Sequence, residues 1–396
     1  MLRHLFVLIH RYINLVLAVF LIIVSITGSL LAFNTELERF FAPQLFSKQI
    51  SEQPRLSLSQ LIEKASDLVD DAEITGVIFT EADQVKASYS SKTGNEAHKN
   101  YLRLLEVYLD PWTGNELGRR SRGDLNEGLI NIMPFIYKIH WTLAIDSIGQ
   151  FILGGVALLW TIDSFIGLYL TLPLSKTHFF SKWYKAFLIK KNSSFIRFNF
   201  DIHRSFGLWL WFFIIIFTWS SVMMNIRPVY ESVMHLAFDY ESPIERFKTI
   251  KTQKNDNPDL KWDDALAIAE NLAEHESKTR GFKIIAPISL SYSKSAGSYS
   301  YGLRSSNDIF EYSPKGGNSS LMIDGNTGQL ISFNQPTKMK LGNTIESWLY
   351  ALHMARIIGM PYKIFVCFFG IAIVILTVTG IIIWHRKKYG KRKPIN

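Results

Sequence analysis

Four apolar runs, each about as long as the 20 residues a helix needs to cross a bilayer, constrain this chain before anything else is read. They are Ile13–Phe33, Phe151–Leu172, Phe206–Met224 and Ile364–Trp384. Three carry no charged residue, and the second carries only Asp163. Runs of this kind are too long for a soluble protein, yet a mean hydropathy of +0.10 is too low for a chain lying wholly in lipid. The sequence therefore predicts four spans with substantial mass outside the bilayer. The first run reads as a permanent span. Its apolar stretch exceeds the roughly 7–15 residues of a signal core, and no small-x-small cleavage site follows Phe33.

Charge then orients the spans. The segment between the second and third runs carries Lys176, Lys182, Lys185, Lys190, Lys191 and Arg197, and the tail carries Arg386, Lys387, Lys388, Lys391, Arg392 and Lys393. Neither contains an acid before Asp201. The positive-inside rule places these segments and both termini in the cytoplasm, and the two long, charge-balanced loops on the opposite side. Membrane orientation accounts for the net charge of +9, so a nucleic-acid partner is not called for.

The two long loops follow one plan. The first has a helix-like segment, Leu56–Leu68, strand-like pieces at Ile74–Thr80, Val85–Ser90 and Tyr101–Leu109, the turn Asp110-Pro111-Trp112-Thr113-Gly114, and a segment Leu129–Leu143 bearing His140. The second has Trp262–His275, strand-like pieces at Phe282–Ser291, Tyr299–Leu303 and Leu321–Ile323, the turn Asp324-Gly325-Asn326-Thr327-Gly328, and Ile345–Arg356 bearing His353. Thr113 precedes His140 by 27 residues and Thr327 precedes His353 by 26. The fold expected is a membrane α-helical protein of four transmembrane helices in two tandem repeats, with two outward-facing α/β domains.

The boundaries follow from this plan. Residues 1–33 form the N-terminal segment and first span, and 34–128 the first outward domain. Residues 129–174 are an interfacial helix and the second span, 175–202 a basic cytoplasmic loop, and 203–225 the third span. Residues 226–343 are the second outward domain, 344–385 an interfacial helix and the fourth span, and 386–396 a basic tail.

The repeat gives the histidines their meaning. His10 and His203, each followed by Arg, stand at the cytoplasmic ends of the first and third spans; His140 and His353 stand at the outer ends of the second and fourth. A single interfacial His is unremarkable, but two pairs related by duplication would converge, one near each membrane face. Ionisable groups inside a bundle are costly and are functional candidates by default. Imidazole is an expected axial ligand of haem iron, and facing helices can hold it. Zinc normally takes three or more protein ligands, and each face offers only two matched imidazoles. The single cysteine, Cys367, rules out disulfides, Cys-based zinc and iron–sulfur sites and covalent c-type haem.

Other residues stay open at this point. His385 reads as an interfacial anchor or as a replacement for His10 or His203 on the iron. Asp163 reads as a neutral acid bonded to a neighbouring Ser or Thr, or as a proton relay. Trp141, Trp348 and Tyr350 flank the outer histidines as candidates for docking an electron acceptor.

The ordered set His10-Arg11-Tyr12, Thr27-Gly28-Ser29, Asp110-Pro111-Trp112-Thr113-Gly114, Lys138-Ile139-His140, His203-Arg204-Ser205-Phe206-Gly207, Asp324-Gly325-Asn326-Thr327-Gly328 and Ala351-Leu352-His353 resembles the PepSY-associated transmembrane family over nearly the whole chain. The chain departs from that pattern in the third span, where Trp219-Ser220-Ser221 stands in place of a Thr-Gly-like step. The resemblance implies PepSY-like outward domains, b-type haems and inner-membrane reduction of ferric siderophores.

The function expected is therefore a bacterial inner-membrane cytochrome with two haem b per chain, axially held by His10, His203, His140 and His353. It would take electrons from a cytoplasmic or quinol donor and reduce a ferric chelate, a ferric siderophore above all. No G-x-G-x-x-G fingerprint provides a nicotinamide or flavin module, so the donor is external. The competing reading is a non-enzymatic PepSY scaffold or sensor that binds a peptide or protease. A transporter is disfavoured by the parallel repeats and by spans expected to be unbroken.

Overall fold

The computed structural model describes residues 2–48, 54–93, 96–243, 245, 253–309, 318–337 and 340–389. The described helices are α1 (Leu2–Leu31), α2 (Asn34–Phe41), α3 (Leu58–Ala65), α4 (Glu96–Leu104), α5 (Ile132–Thr142), α6 (Asp146–Thr171), α7 (Phe179–Tyr184), α8 (Phe195–Trp209), α9 (Trp211–Asn225), α10 (Arg227–Ala237), α11 (Trp262–Arg280), α12 (Leu341–His353) and α13 (Met360–Tyr389). The strands are β1 (Ala72–Glu81), β2 (Gln84–Ser91), β3 (Leu105–Leu109), β4 (Glu116–Ser121), β5 (Ile284–Ser293), β6 (Ser298–Ser305), β7 (Ser319–Asp324) and β8 (Leu330–Asn334). The chain forms two compact units. One comprises Met1–Phe33, Ile136–Val233 and Leu352–Asn396, the other Asn34–Phe135 and Met234–Ala351.

The first unit is a helical bundle. Helices α1, α6 and α13 are each long and apolar enough to cross a membrane, and α8 with α9 qualifies as a fourth span only if the two count as one. The third run is thus not the unbroken helix expected from its sequence: α8 and α9 meet at Leu210 with a bend of 65°. The helix that carries His203 is consequently distinct from the apolar helix after it. No Pro lies at the break. Trp211 Nε1 there donates to the Ser164 carbonyl on α6 at 3.0 Å, anchoring the start of α9.

Small residues let the spans approach closely, as dispersion-driven packing between apolar helices requires. A β-carbon on Gly370 of α13 would collide with Ser29 of α1, and one on Gly154 of α6 would collide with Ile226 just past α9. Leu17 and Leu21 of α1 pack on Val156 of α6, while Ile214 of α9 packs on Phe369 and Ile373 of α13. Trp160 packs against both clusters.

The second unit is a single eight-stranded antiparallel sheet in the order β4-β3-β2-β1-β5-β6-β7-β8. The two long loop segments, expected as two separate domains, are joined edge to edge through β1 and β5, where Gly76, Val77 and Ile78 pair with Ser291, Leu290 and Ser289. Gly76 permits that junction, because a β-carbon there would run into the Leu290 carbonyl. Helices α3 and α11 share one core with the strands: Leu61, Ile62 and Ala65 lie with Ala265, Leu266 and Ala269 against Val77, Val107, Leu290 and Leu303.

The matched turns also adopt one geometry. Asp110 accepts from the backbone N–H of Trp112 and Thr113 at 2.8 and 3.0 Å, and Asp324 from those of Asn326 and Thr327 at 3.0 and 2.8 Å. Gly114 and Gly328 follow at φ 71° and 70°, a left-handed conformation that glycine adopts without steric cost. The strand expected over Tyr101–Leu109 is shorter in the structure, since Tyr101–Leu104 ends α4. Strands β4 and β8 lie beyond the turns, where sequence periodicity gave no expectation of them.

Candidate functional site

Two imidazole pairs form within the helical unit. His10 on α1 faces His203 on α8, with ring centres 6.2 Å apart and planes at 66°. His140 on α5 faces His353 at the end of α12, again at 6.2 Å, with planes at 59°.

Local structure fixes each ring. Arg3 donates to the carbonyls of Leu170 and Leu172 at 2.7 and 3.0 Å, satisfying the orphan acceptors at the end of α6. Seven residues on from Arg3 is His10, and seven back from Leu170 is Asp163, so two turns of antiparallel helix bring them level. The Asp163 carboxylate lies 2.9 and 3.0 Å from His10 Nδ1. Asn14 donates to the same carboxylate at 2.5 Å and to the His10 carbonyl at 2.6 Å. Asp163 is thus bonded to a histidine and an asparagine of α1 rather than to the Ser or Thr neighbours considered from sequence.

His203 is held on α8 by its neighbours. Asp201, fully buried, pairs with Arg197 and Arg204 at 2.9 Å each, and Arg204 donates onward to the Ala186 and Lys185 carbonyls at 3.1 Å. Asn199 ties α8 to α13 through the Thr379 carbonyl at 3.0 Å. His203 Nδ1 then meets the Leu376 carbonyl at 3.0 Å and Thr379 Oγ1 at 3.1 Å.

The second pair is built alike. His140 Nδ1 lies 3.0 Å from Thr27 Oγ1 of α1, whose own hydroxyl donates to the Ile23 carbonyl at 2.7 Å. His353 Nδ1 lies 2.7 Å from Ser220 Oγ of α9, whose own hydroxyl donates to the Ile216 carbonyl at 2.7 Å. The Phe217 ring centre is 5.3 Å from that of His353. Residues just after the two helices, Leu143 and Ala144 after α5 and Ala355 after α12, have φ of 51°, 61° and 51°, a strained conformation for side chains with a β-carbon.

These bonds decide the tautomers. A carbonyl or carboxylate oxygen accepts, as does a hydroxyl whose own proton goes to a helix carbonyl, so Nδ1 carries the proton and Nε2 keeps its lone pair. Three rings also rest against glycine. A β-carbon on Gly28 would come within 3.0 Å of His140 Cε1, one on Gly167 within 3.3 Å of His10 Cε1, and one on Gly380 within 3.2 Å of His203 Cε1. Thr27-Gly28 and Thr379-Gly380 therefore do the same job for His140 and His203. In the third span, Ser220 supplies the hydroxyl that a Thr would supply.

The donor set fits haem iron bound between two imidazoles. Two imidazoles are an established ligand pair for haem iron, and the 6.2 Å between ring centres in each pair leaves room for a metal ion between the rings. Among the described residues, no group of three or more His, Cys, Asp or Glu gathers for a metal ion.

Other residues singled out from sequence fall elsewhere. His385 is exposed, its ring 5.1 Å from Tyr389, and it is not the residue facing His203. Trp141 is exposed beside His140 and packs on Tyr137 at 5.9 Å. Trp348 is exposed and Tyr350 half-buried, five and three residues before His353 on α12. Sequence reasoning passed over Asn14, Gly167, Thr379, Gly380 and the role of Ser220. The available signal was a polar or glycine residue inside an apolar run, and the Thr-Gly step occurring in both the first and the fourth.

Comparison with curated proteins finds no match. The sequence model of a family described as PepSY-associated TM region matches residues 7–387, a stretch that contains all four paired histidines.

Proposed function

We propose, from the premise that the chain belongs to the PepSY-associated TM region family, that this membrane protein is a dihaem b-type cytochrome that reduces a ferric chelate. The observation that carries the reading is the pair of matched imidazole sites, each with its centres 6.2 Å apart and each with Nδ1 already committed. A structural histidine does not need Nδ1 committed and a second imidazole facing it across 6.2 Å; an iron ligand does.

Haem at each pair would supply a one-electron Fe(III)/Fe(II) couple. The chain's own residues do the rest. His10 with His203, and His140 with His353, would hold the group through imidazole nitrogen; Asp163, Thr379, Thr27 and Ser220 orient the rings; Gly28, Gly167 and Gly380 leave them room. The spans exclude water and hold the sites in a medium of low dielectric. No acid–base catalyst is required.

Direction comes from the charge pattern. In this reading the termini and the basic loop face the cytoplasm of a bacterial inner membrane, and electrons enter near His10–His203 from a cytoplasmic or quinol donor. They leave near His140–His353, where α5 and α12 lead the chain into the bundle. Trp141, exposed beside His140, offers aromatic surface for the acceptor. A ferric siderophore suits it, because Fe(II) binds hard oxygen ligands more weakly than Fe(III) and is released on reduction.

The scaffold or sensor reading has one observation in its favour. A cleft of about 500 Å³ opens on the sheet unit, lined by Arg55, Phe79, Trp112, Glu270 and Pro287 among others, and it would suit a peptide. Anaerobic mixing separates the two readings. A dithionite-reduced cytochrome should be reoxidised by a ferric siderophore, with ferrous iron captured by a chelating dye. Protein that carries no reducible haem, or stays reduced, would count against the reductase.

A further inference from the structure

Asp163 is the only acid within the four apolar runs, and it is 2% exposed. It also makes the four imidazole sites unequal. Of the four paired histidines, His10 alone has a carboxylate on Nδ1, at 2.9 Å, whereas His140 and His353 meet hydroxyls and His203 a hydroxyl and a carbonyl.

We propose that Asp163 is a positioning residue that sets the reduction potential of the His10–His203 site below that of the His140–His353 site, and so gives electron flow one direction. The proposal rests on the dihaem reading above. A carboxylate accepting the Nδ1 proton pushes electron density into the ring and makes Nε2 a stronger donor. Stronger donation favours the oxidised metal, and hydrogen bonding around the ligands is one of the levers by which a protein tunes haem. Within apolar spans the charge acts through a low dielectric, so its reach is greater than in water. Asn14 restrains the effect. Its amide donates 2.5 Å to the same carboxylate and draws part of the charge away from His10. The balance is simple: one electron leaves the first site and arrives at the second, with no bond made or broken.

The test is an optical redox titration of the full-length, haem-loaded protein in detergent, with Asp163→Asn and Asn14→Leu beside the wild type. The component lost in His203→Ala identifies the His10–His203 site. That component should have the lower midpoint in the wild type, should move up in Asp163→Asn, and should move down in Asn14→Leu, while the other stays where it is. Two retained haems with the lower midpoint unmoved in both variants would overturn the assignment, as would a higher midpoint for the His10–His203 component. If Asp163→Asn does not retain haem, Asn14→Leu decides alone, with a downward shift in support and no shift against. Wild-type protein without haem would instead overturn the dihaem reading beneath it.

Discussion

Thr27 and His140 meet at 3.0 Å across two helices, hydroxyl to Nδ1, and the next residue along α1 is the glycine against which the same ring rests. Thr379 and Gly380 stand to His203 in the same relation. A bond that sets the tautomer and a gap that sets the ring position thus come from consecutive residues of one span.

The hydroxyl is the easier half to remove. Thr27→Val and Ser220→Ala should each weaken haem retention at the His140–His353 pair by about 10–100-fold, the usual cost of deleting the outer partner of a ligating histidine. The His10–His203 component should be untouched. Titration of haem into apoprotein, followed by absorbance, measures both.

Bulk at the glycines should act on one site each. Gly28→Val should disturb the His140–His353 component alone, and Gly380→Val the His10–His203 component alone, since each new side chain would press on a single imidazole. Reduced-minus-oxidised spectra of the two variants check this. Loss of both components from one variant would point to general unfolding of the bundle.

His385 provides a contrast within the same basic region. Exposed beside Tyr389, it should be replaceable by Ala with both spectral components intact. His10→Ala should remove the component that His203→Ala removes. Loss of that component in His385→Ala would mean that the partner of His203 had been wrongly assigned.

The sheet unit should show its own acid sensitivity. Burial alone would raise the Glu106 carboxyl, but Lys86, Arg120 and the Tyr108 hydroxyl together hold it down to about 2. A depressed acid stabilises the fold fully above its ordinary value near 4.5, and that contribution fades as the pH falls towards 2. A shift of this size corresponds to roughly 3 kcal/mol. Thermal unfolding of the full chain should therefore fall steeply below pH 4.5. Glu106→Gln should already be destabilised at neutral pH, where it leaves Arg120 short of its 2.9 Å partner, and should show a flatter acid limb.

Much of this was legible in the sequence for local reasons. Apolar length marks a span whatever it packs against, and the matched positions of His10 with His203 and of His140 with His353 follow from spacing alone. The fusion of the two long loop segments into one sheet was not legible. It depends on Gly76 meeting Ser291, residues far apart in the chain whose pairing leaves no periodic trace. The 65° bend at Leu210 also went unseen, since neither Pro nor a charge interrupts the run there. Asp163 was conspicuous as a lone acid, but its partners belong to another helix. Sequence pointed to its neighbours Thr161 and Ser164, and those hydroxyls instead bond their own helix at Ala157 and Trp160.

The most direct measurement is the visible spectrum of the purified full-length protein, oxidised and dithionite-reduced, with haem quantified per chain. Non-covalent haem b is expected at two per chain, with low-spin bis-imidazole bands that resolve into two components. A featureless visible region after expression with ample haem would contradict it.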